Sequence, residues 1–313
     1  MTFLELLDKM KGAPGSILTS ELVGFSGISS RQVKEAHDAV ARLQPAERRQ
    51  LLKRLVDVAE DDPLLDFTPI FKRFLDDPDS GARQAAVDGL WEDEEGDTAV
   101  RLANLLEGDP DAGVRASAAS SLGHFALLAE LEEIDERLAG RVRFALLRAA
   151  ANQSESLEVQ RRAIESVSFI SDEEIARLIE ETYRHPDPKT QASAIRAMGN
   201  SGLERWFDTI LKELGDPNPE LRYEAAVACG EFEDQRAVPS LARLVADPDP
   251  EVRFAAIASL GKVGGKEVRQ TLQRLLDSPD EAVQEAAGEA LEEMEGFEAP
   301  LRFRLFEEGK GGN

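Results

Sequence analysis

Apolar residues along the 313-residue chain recur at spacings of three and four. Sets such as Phe71, Phe74 and Leu75, or Leu241, Leu244 and Val245, or Leu272, Leu275 and Leu276 each mark one face of a helix. No useful run alternates apolar and polar residues with period two, so no sheet is expected. Between the stripes lie short turn signals such as DPDP at 247–250, each followed by a second apolar helical pattern. The prolines at 186, 217, 248 and 279 are spaced by 31 residues. Pro78 and Pro110 lead the same motif, and Glu155 holds the proline's place in SESLEVQRRAIESVS. These anchors define seven copies, approximately 67–91, 98–123, 141–169, 172–199, 203–230, 235–261 and 266–295. Each copy predicts a helix, a tight turn and a second helix.

Certain positions barely vary among the copies. Eight residues after the anchor stands alanine (Ala86, Ala118, Ala163, Ala194, Ala225, Ala256, Ala287), and eleven after it a small residue in every copy. One after it stands a good N-cap: Asp79, Asp111, Ser156, Asp187, Asn218, Asp249 or Asp280. Pro188, Pro219 and Pro250 then suit the first helical position, and Gly123, Gly199, Gly230 and Gly261 read as helix ends. Neither helix of a copy can bury its apolar face alone, so one continuous core shared by stacked copies is expected. Helices near 30–42 and 45–60 precede the copies. The expected organisation is an N-terminal helical cap at 1–62, an array at 63–296 and a C-terminal tail at 297–313, docked in part through Phe297, Leu301 and Phe303. Copies two and three are separated by 45 residues, and an inserted helix near 124–140 is predicted there.

Paired helices with an Asp-Pro turn, a Val-Arg pair opening the second helix and AASSLG inside it, residues 118–123, resemble HEAT repeats. The resemblance covers roughly residues 64–295 and is closest to the short bacterial form named after phycobilisome lyases. It implies an all-α protein, a right-handed α-α superhelix or solenoid with about seven helix-pair repeats of roughly 31 residues. Such arrays serve as scaffolds, adaptors, lyases, hydroxylases or glycosylases according to their surfaces.

The residue before the anchor and the residue five after it vary together. Asp77 accompanies Arg83, Asp109 accompanies Arg115, Asp216 accompanies Arg222, and Asp247 accompanies Arg253. The other copies carry Ser154 with Gln160, His185 with Gln191, and Ser278 with Gln284. An arginine packed between helices without a carboxylate is an uncompensated charge, costing about 3–5 kcal/mol, so structural Asp/Arg pairs within each copy are expected.

Charge narrows the classes of partner. The net charge is -24, and residues 1–60 are nearly neutral, so the body is strongly acidic. An acidic body repels phosphate backbones and anionic membrane, so neither nucleic acid nor membrane is an expected partner. No stretch has the length of an apolar membrane span, and the first residues lack a leader pattern, which points to the cytoplasm. The single cysteine, Cys229, takes a core position and cannot by itself hold zinc. His37, His124 and His185 are followed by Asp38, Phe125 and Pro186, so the His-Glu dipeptides of the two-iron hydroxylases are missing. No Gly-x-Ser-x-Gly elbow and no phosphate-loop spacing occurs. No catalytic residue, metal or cofactor is therefore assigned.

Positions three, seven, ten and fourteen after each anchor share one face of the second helix. They predict a groove with Arg162, Lys189, Arg196 and Asn200 as a basic island, framed by Glu158, Glu165, Glu220, Glu224 and Glu231. Trp91 and Trp206 read as structural. The expected function is a noncatalytic protein-protein scaffold or adaptor in a bacterial cytoplasm, a monomer by default. A lyase-like enzyme or enzyme subunit is the alternative.

Overall fold

The computed structural model describes residues 3–12 and 16–298. Among these residues there are seventeen α-helices and no strand. The first three are α1 (Phe3–Gly12), α2 (Ser30–Val40) and α3 (Pro45–Asp61), with a 3-10 stretch at Thr19–Phe25 that the apolar pattern did not predict, any more than it predicted α1. Seven pairs follow: α4 (Thr68–Phe74) with α5 (Ser80–Asp88), α6 (Gly96–Gly108) with α7 (Ala112–Glu130), α8 (Glu136–Ala151) with α9 (Leu157–Val167), and α10 (Glu173–Tyr183) with α11 (Pro188–Ser201). The last three pairs are α12 (Phe207–Glu213) with α13 (Pro219–Phe232), α14 (Val238–Leu244) with α15 (Pro250–Val263), and α16 (Lys266–Leu275) with α17 (Glu281–Glu298). The tail expected from 297, with its contacts through Phe297, Leu301 and Phe303, lies outside the described residues except for the backbone of the last turn of α17.

The helices gather into two compact units that divide between Arg184 and His185. Phe67, Phe71, Phe74 and Phe125 are fully buried in the first, and Phe207, Ile195, Met198 and Leu260 in the second. The division falls inside the fourth sequence copy, after α10, where periodicity alone predicts an uninterrupted core.

The turn chemistry is as the sequence predicts. All seven N-cap side chains accept from backbone N–H groups at the start of the second helix, for example Asp79 from Ala82 at 2.9 Å and Asp187 from Thr190 at 2.9 Å. In six of the copies the residue before the anchor folds the turn by accepting the N–H two positions on, as Asp109 does from Asp111 at 2.9 Å, and in the third the anchor residue Glu155 accepts it from Ser156 at 2.7 Å. His185 takes this role through Nδ1, which accepts from the Asp187 N–H at 3.1 Å. The seven anchor-plus-eight alanines are all at 0% exposure, which fixes the second helices as the buried seam.

Four glycines do something other than expected. Gly123, Gly199, Gly230 and Gly261 lie inside α7, α11, α13 and α15 and end none of them. A Cβ on Gly199 would stand 2.8 Å from the Cβ of Ala228, and one on Gly230 would stand 2.8 Å from Oγ of Ser259. Gly123 faces Ser166 and Gly261 faces Ala290 in the same way. The glycine of one copy and the small residue eleven after the next anchor thus form a single contact, which lets adjacent second helices touch backbone to backbone. The observed helix ends lie further on. α11 stops at Gly202, with φ +58°, and α13 at the non-glycine Glu233, with φ 50°, whereas α7 ends at Glu130 and the left-handed residue, Glu132 with φ 59°, follows its cap Leu131.

No separate helix occupies 124–140. The additional residues lengthen α7 to Glu130 and start α8 at Glu136, and the left-handed Glu132 turns the chain between them. The periodic apolar positions Phe125, Ala126 and Leu128 continue the buried face of α7, which is why the helix does not break where its siblings do.

The Asp/Arg pairing also needs correction. Arg83 takes only the backbone carbonyl of its own Asp77, at 2.7 Å, and grips the Asp109 carboxylate of the next copy through two bonds of 2.7 and 2.8 Å. Arg222 holds the carbonyl of Asp216 and the carboxylate of Asp247, at 2.9 and 2.8 Å. Arg115 likewise takes the carbonyl of Asp109 but pairs with Glu155, the residue that replaced the anchor proline. Arg253 takes the carbonyl of Asp247 and reaches only Asp280, at 3.9 Å. Each arginine is therefore a clasp between successive turns, not a partner within one. The pair α2–α3 joins the same series, because Arg48, four residues after the N-cap position Gln44, bonds to Asp77 at 2.8 Å. In two of the copies with glutamine, the side chain caps its own turn instead: Gln160 donates to the carbonyl of Glu155 and Gln284 to that of Ser278.

Candidate functional site

In the first unit the second helices α5, α7 and α9 wall a recess of about 490 Å³, lined among others by Asp88, Trp91, Ser117, Ser120, Glu158 and Arg162. Five of these six lie three, seven or ten residues after their anchors, the face predicted to line a groove. The sixth, Trp91, follows α5 in the turn and is 45% exposed at the edge of the recess, so its expected structural role is not what its placement shows. The floor is made of small side chains on α7, which keeps the recess open. Asp88 faces the opening, yet the surrounding walls crowd it: desolvation lifts its carboxyl above the ordinary range against a hydrogen bond from Ser117 and the more distant charge of Lys53.

Arg162 is held by two carboxylates of its own helix, Glu158 at 2.9 Å and Glu165 at 2.9 Å. His124, one turn beyond Ser120 on α7, has Nε2 at 3.4 Å from Glu94 in the acidic turn that follows Trp91.

The remaining predicted groove residues belong to the second unit. Lys189 is exposed near the start of α11. Arg196, two turns on, pairs with both oxygens of Glu224 on α13, at 3.0 and 2.7 Å. Glu224 is buried, and Asn200 is half-buried on the same face of α11 as Arg196. The predicted basic island is thus divided between the two units, and two of its three cations are neutralised by glutamates read beforehand as its frame. A second recess, about 320 Å³, is lined by Pro219, Glu220 and Tyr223 of α13 with Asp249 and Glu251 at the start of α15. Sequence reasoning missed both recesses because they form between copies. The signal available was the unusual tryptophan at the end of the first copy, set before Glu92, Asp93, Glu94 and Glu95.

Residues with chemical potential elsewhere are engaged in the framework. Cys229 is fully buried, and burial pushes its thiol up to about 12, far from thiolate reactivity. Trp206 is buried at the start of its helix pair, consistent with its reading as core. Among the described residues no group of three or more His, Cys, Asp or Glu is arranged to hold a metal ion, and no helix is long and apolar enough to cross a membrane.

Helix pairs, capped Asp-Pro turns and glycine-mediated contacts between second helices place the chain among α-solenoid repeats. Residues 207–292 match the family model described as HEAT repeats. Residues 207–292 are HEAT repeats. Among solved structures, the chain is similar in fold to the CpcE–CpcF complex of phycocyanin lyase from Nostoc, at 17% identity over 74% of this chain and 94% of that one, with a TM-score of 0.50. YibA of Escherichia coli matches at 19% identity, over 81% and 97% of the two chains, with a TM-score of 0.43. Human deoxyhypusine hydroxylase matches at 18% identity, over 85% and 97%, with a TM-score of 0.37. No protein of curated function matches the sequence significantly.

Proposed function

We propose that the protein is a noncatalytic interaction scaffold that holds a partner polypeptide against the second helices of its repeats. The observation that carries this reading is Trp91, a large aromatic left 45% exposed in a recess walled by three successive second helices. Exposed tryptophans set in concavities supply much of the energy of protein interfaces. The clasps and glycine contacts hold the walls rigid, so ordering costs on binding are small.

A photo-crosslinking residue at Ser120, in the recess, and another at Val100, exposed on α6, test the reading in living cells. A discrete crosslinked polypeptide from position 120 and none from position 100 is the expected result. Absence of crosslinks at 120, or the same products from both positions, overturns it. Chromophore carried or transferred by the purified protein would replace the scaffold by a lyase-like activity.

A further inference from the structure

The recess of the first unit is not electrostatically neutral ground. Its carboxylate Asp88 has Ser117 as its side-chain hydrogen-bond partner, and Lys53 and Glu60 act on it only through space and in opposite directions. On the opposite wall Glu158 and Glu165 are matched by Arg161 and Arg162, so that wall is neutral and Asp88 carries the unpaired charge. The turn after Trp91 carries Glu92 and Glu94, both exposed, with Glu94 3.4 Å from Nε2 of His124. Asp93 and Glu95 of the same turn are already held by Lys72, at 2.8 and 2.7 Å. An open indole beside an exposed carboxylate that has no ion-pair partner, followed by an acidic turn, is the complement of a cation with a flat, apolar face. The guanidinium of arginine is such a group, since it stacks on aromatic rings and binds carboxylates through two parallel bonds. The second unit repeats the combination in its own recess, where Tyr223 lies among Glu220, Asp249 and Glu251.

We propose that the groove of the first unit binds an arginine-bearing basic segment of another protein, with a guanidinium seated between the indole of Trp91 and the carboxylate of Asp88. The proposal rests on the scaffold reading and adds the chemistry of the partner.

The probe is a fluorescein-labelled tetra-arginine peptide, followed by anisotropy at physiological salt, with tetra-lysine and tetra-glutamate peptides beside it. The expected order is arginine over lysine, with no binding of glutamate. Trp91→Ala and Asp88→Asn each weaken arginine binding about tenfold, whereas Glu267→Gln, which removes one exposed carboxylate from the second unit, leaves it unchanged. Because the folded pKa of Asp88 is raised, its ionised form opposes folding as pH rises through that pKa, so Asp88→Asn melts no lower than the parent at neutral pH and its binding loss is not unfolding. Equal affinity of the parent, Asp88→Asn and Glu267→Gln forms overturns the proposal. If the Ser120 crosslink persists in that case, the scaffold reading stands and only the basic partner falls. Tighter binding of a peptide of residues 299–306, which contains Arg302 and Arg304, would put a second copy of this chain in the groove and overturn the assignment to another protein.

Discussion

The junction between Arg83 and Asp109 in the first unit and that between Arg253 and Asp280 in the second begin from the same motif and end differently. At the first, a forked pair of bonds at 2.7 and 2.8 Å joins side chains exposed by only 11% and 3%. At the second, the seventh copy has Ser278 where a carboxylate would stand, and Arg253 reaches only the N-cap Asp280, itself half in solvent, at 3.9 Å. One residue two positions away decides whether an arginine is a buried clasp or a loosely held surface cation. The repeat motif therefore does not carry a fixed energy; its neighbour in the next copy sets it.

The largest expected effect breaks the strong junction. Arg83→Ala leaves the Asp109 carboxylate buried without its counter-charge and lowers stability in denaturant melts by about 3–5 kcal/mol. Arg253→Ala costs less than about 1 kcal/mol, as solvated pairs do. The double change Arg83→Gln with Asp109→Ser, which copies the neutral junctions, recovers most of the loss. Similar losses for Arg83→Ala and Arg253→Ala would show that burial does not govern the clasps.

A second contrast uses one chemical change at two glycines. Gly230→Ala drives a methyl to within 2.8 Å of Oγ and 3.2 Å of Cα of Ser259, and the expected cost is about 1–3 kcal/mol. Gly288→Ala, with nothing within 4 Å, raises stability by up to about 1 kcal/mol through helix propensity alone. Melting both variants checks whether the close contact, rather than the helix, selects glycine.

The smallest effect near neutrality concerns protons. Arg115 holds Glu155 below the ordinary carboxylate range, and Arg222, with the Asp249 N–H, does the same for Asp247 against the opposing effect of burial. Both folded pKa values lie below the unfolded ones. Their stabilisation is complete above the usual carboxylate range and disappears as pH falls through the lowered values, below about pH 4. Melts from pH 7 to 3 should show a flat region and then a fall, shallower when Glu155 or Asp247 is replaced by its amide.

Periodicity made the helices, the seven caps and the buried alanine seam legible, because each depends on residues a few positions apart. The roles of Gly123, Gly199, Gly230 and Gly261 were misread as helix ends, since a glycine near the end of an apolar pattern looks the same whether it terminates a helix or admits its neighbour. The arginine partners were misread for a related reason: an aspartate precedes each arginine and another carboxylate follows it one copy later, and only the fold shows which lies within reach. In the groove, the face of the second helices was predicted, but its basic island was not realised, because Arg162 and Arg196 found glutamates at bonding distance.

What the sequence determined by itself is the local layer. Asp249 and Pro250 start a helix wherever they stand, because a carboxylate that accepts free N–H groups and a ring that needs none act within one turn. The tertiary structure decided which copies touch, where the chain divides between Arg184 and His185, and that Trp91 and Asp88 share one recess. Those outcomes depend on side chains roughly thirty residues apart meeting at distances near 3 Å, and packing and charge at that range are set only when neighbouring turns are laid side by side.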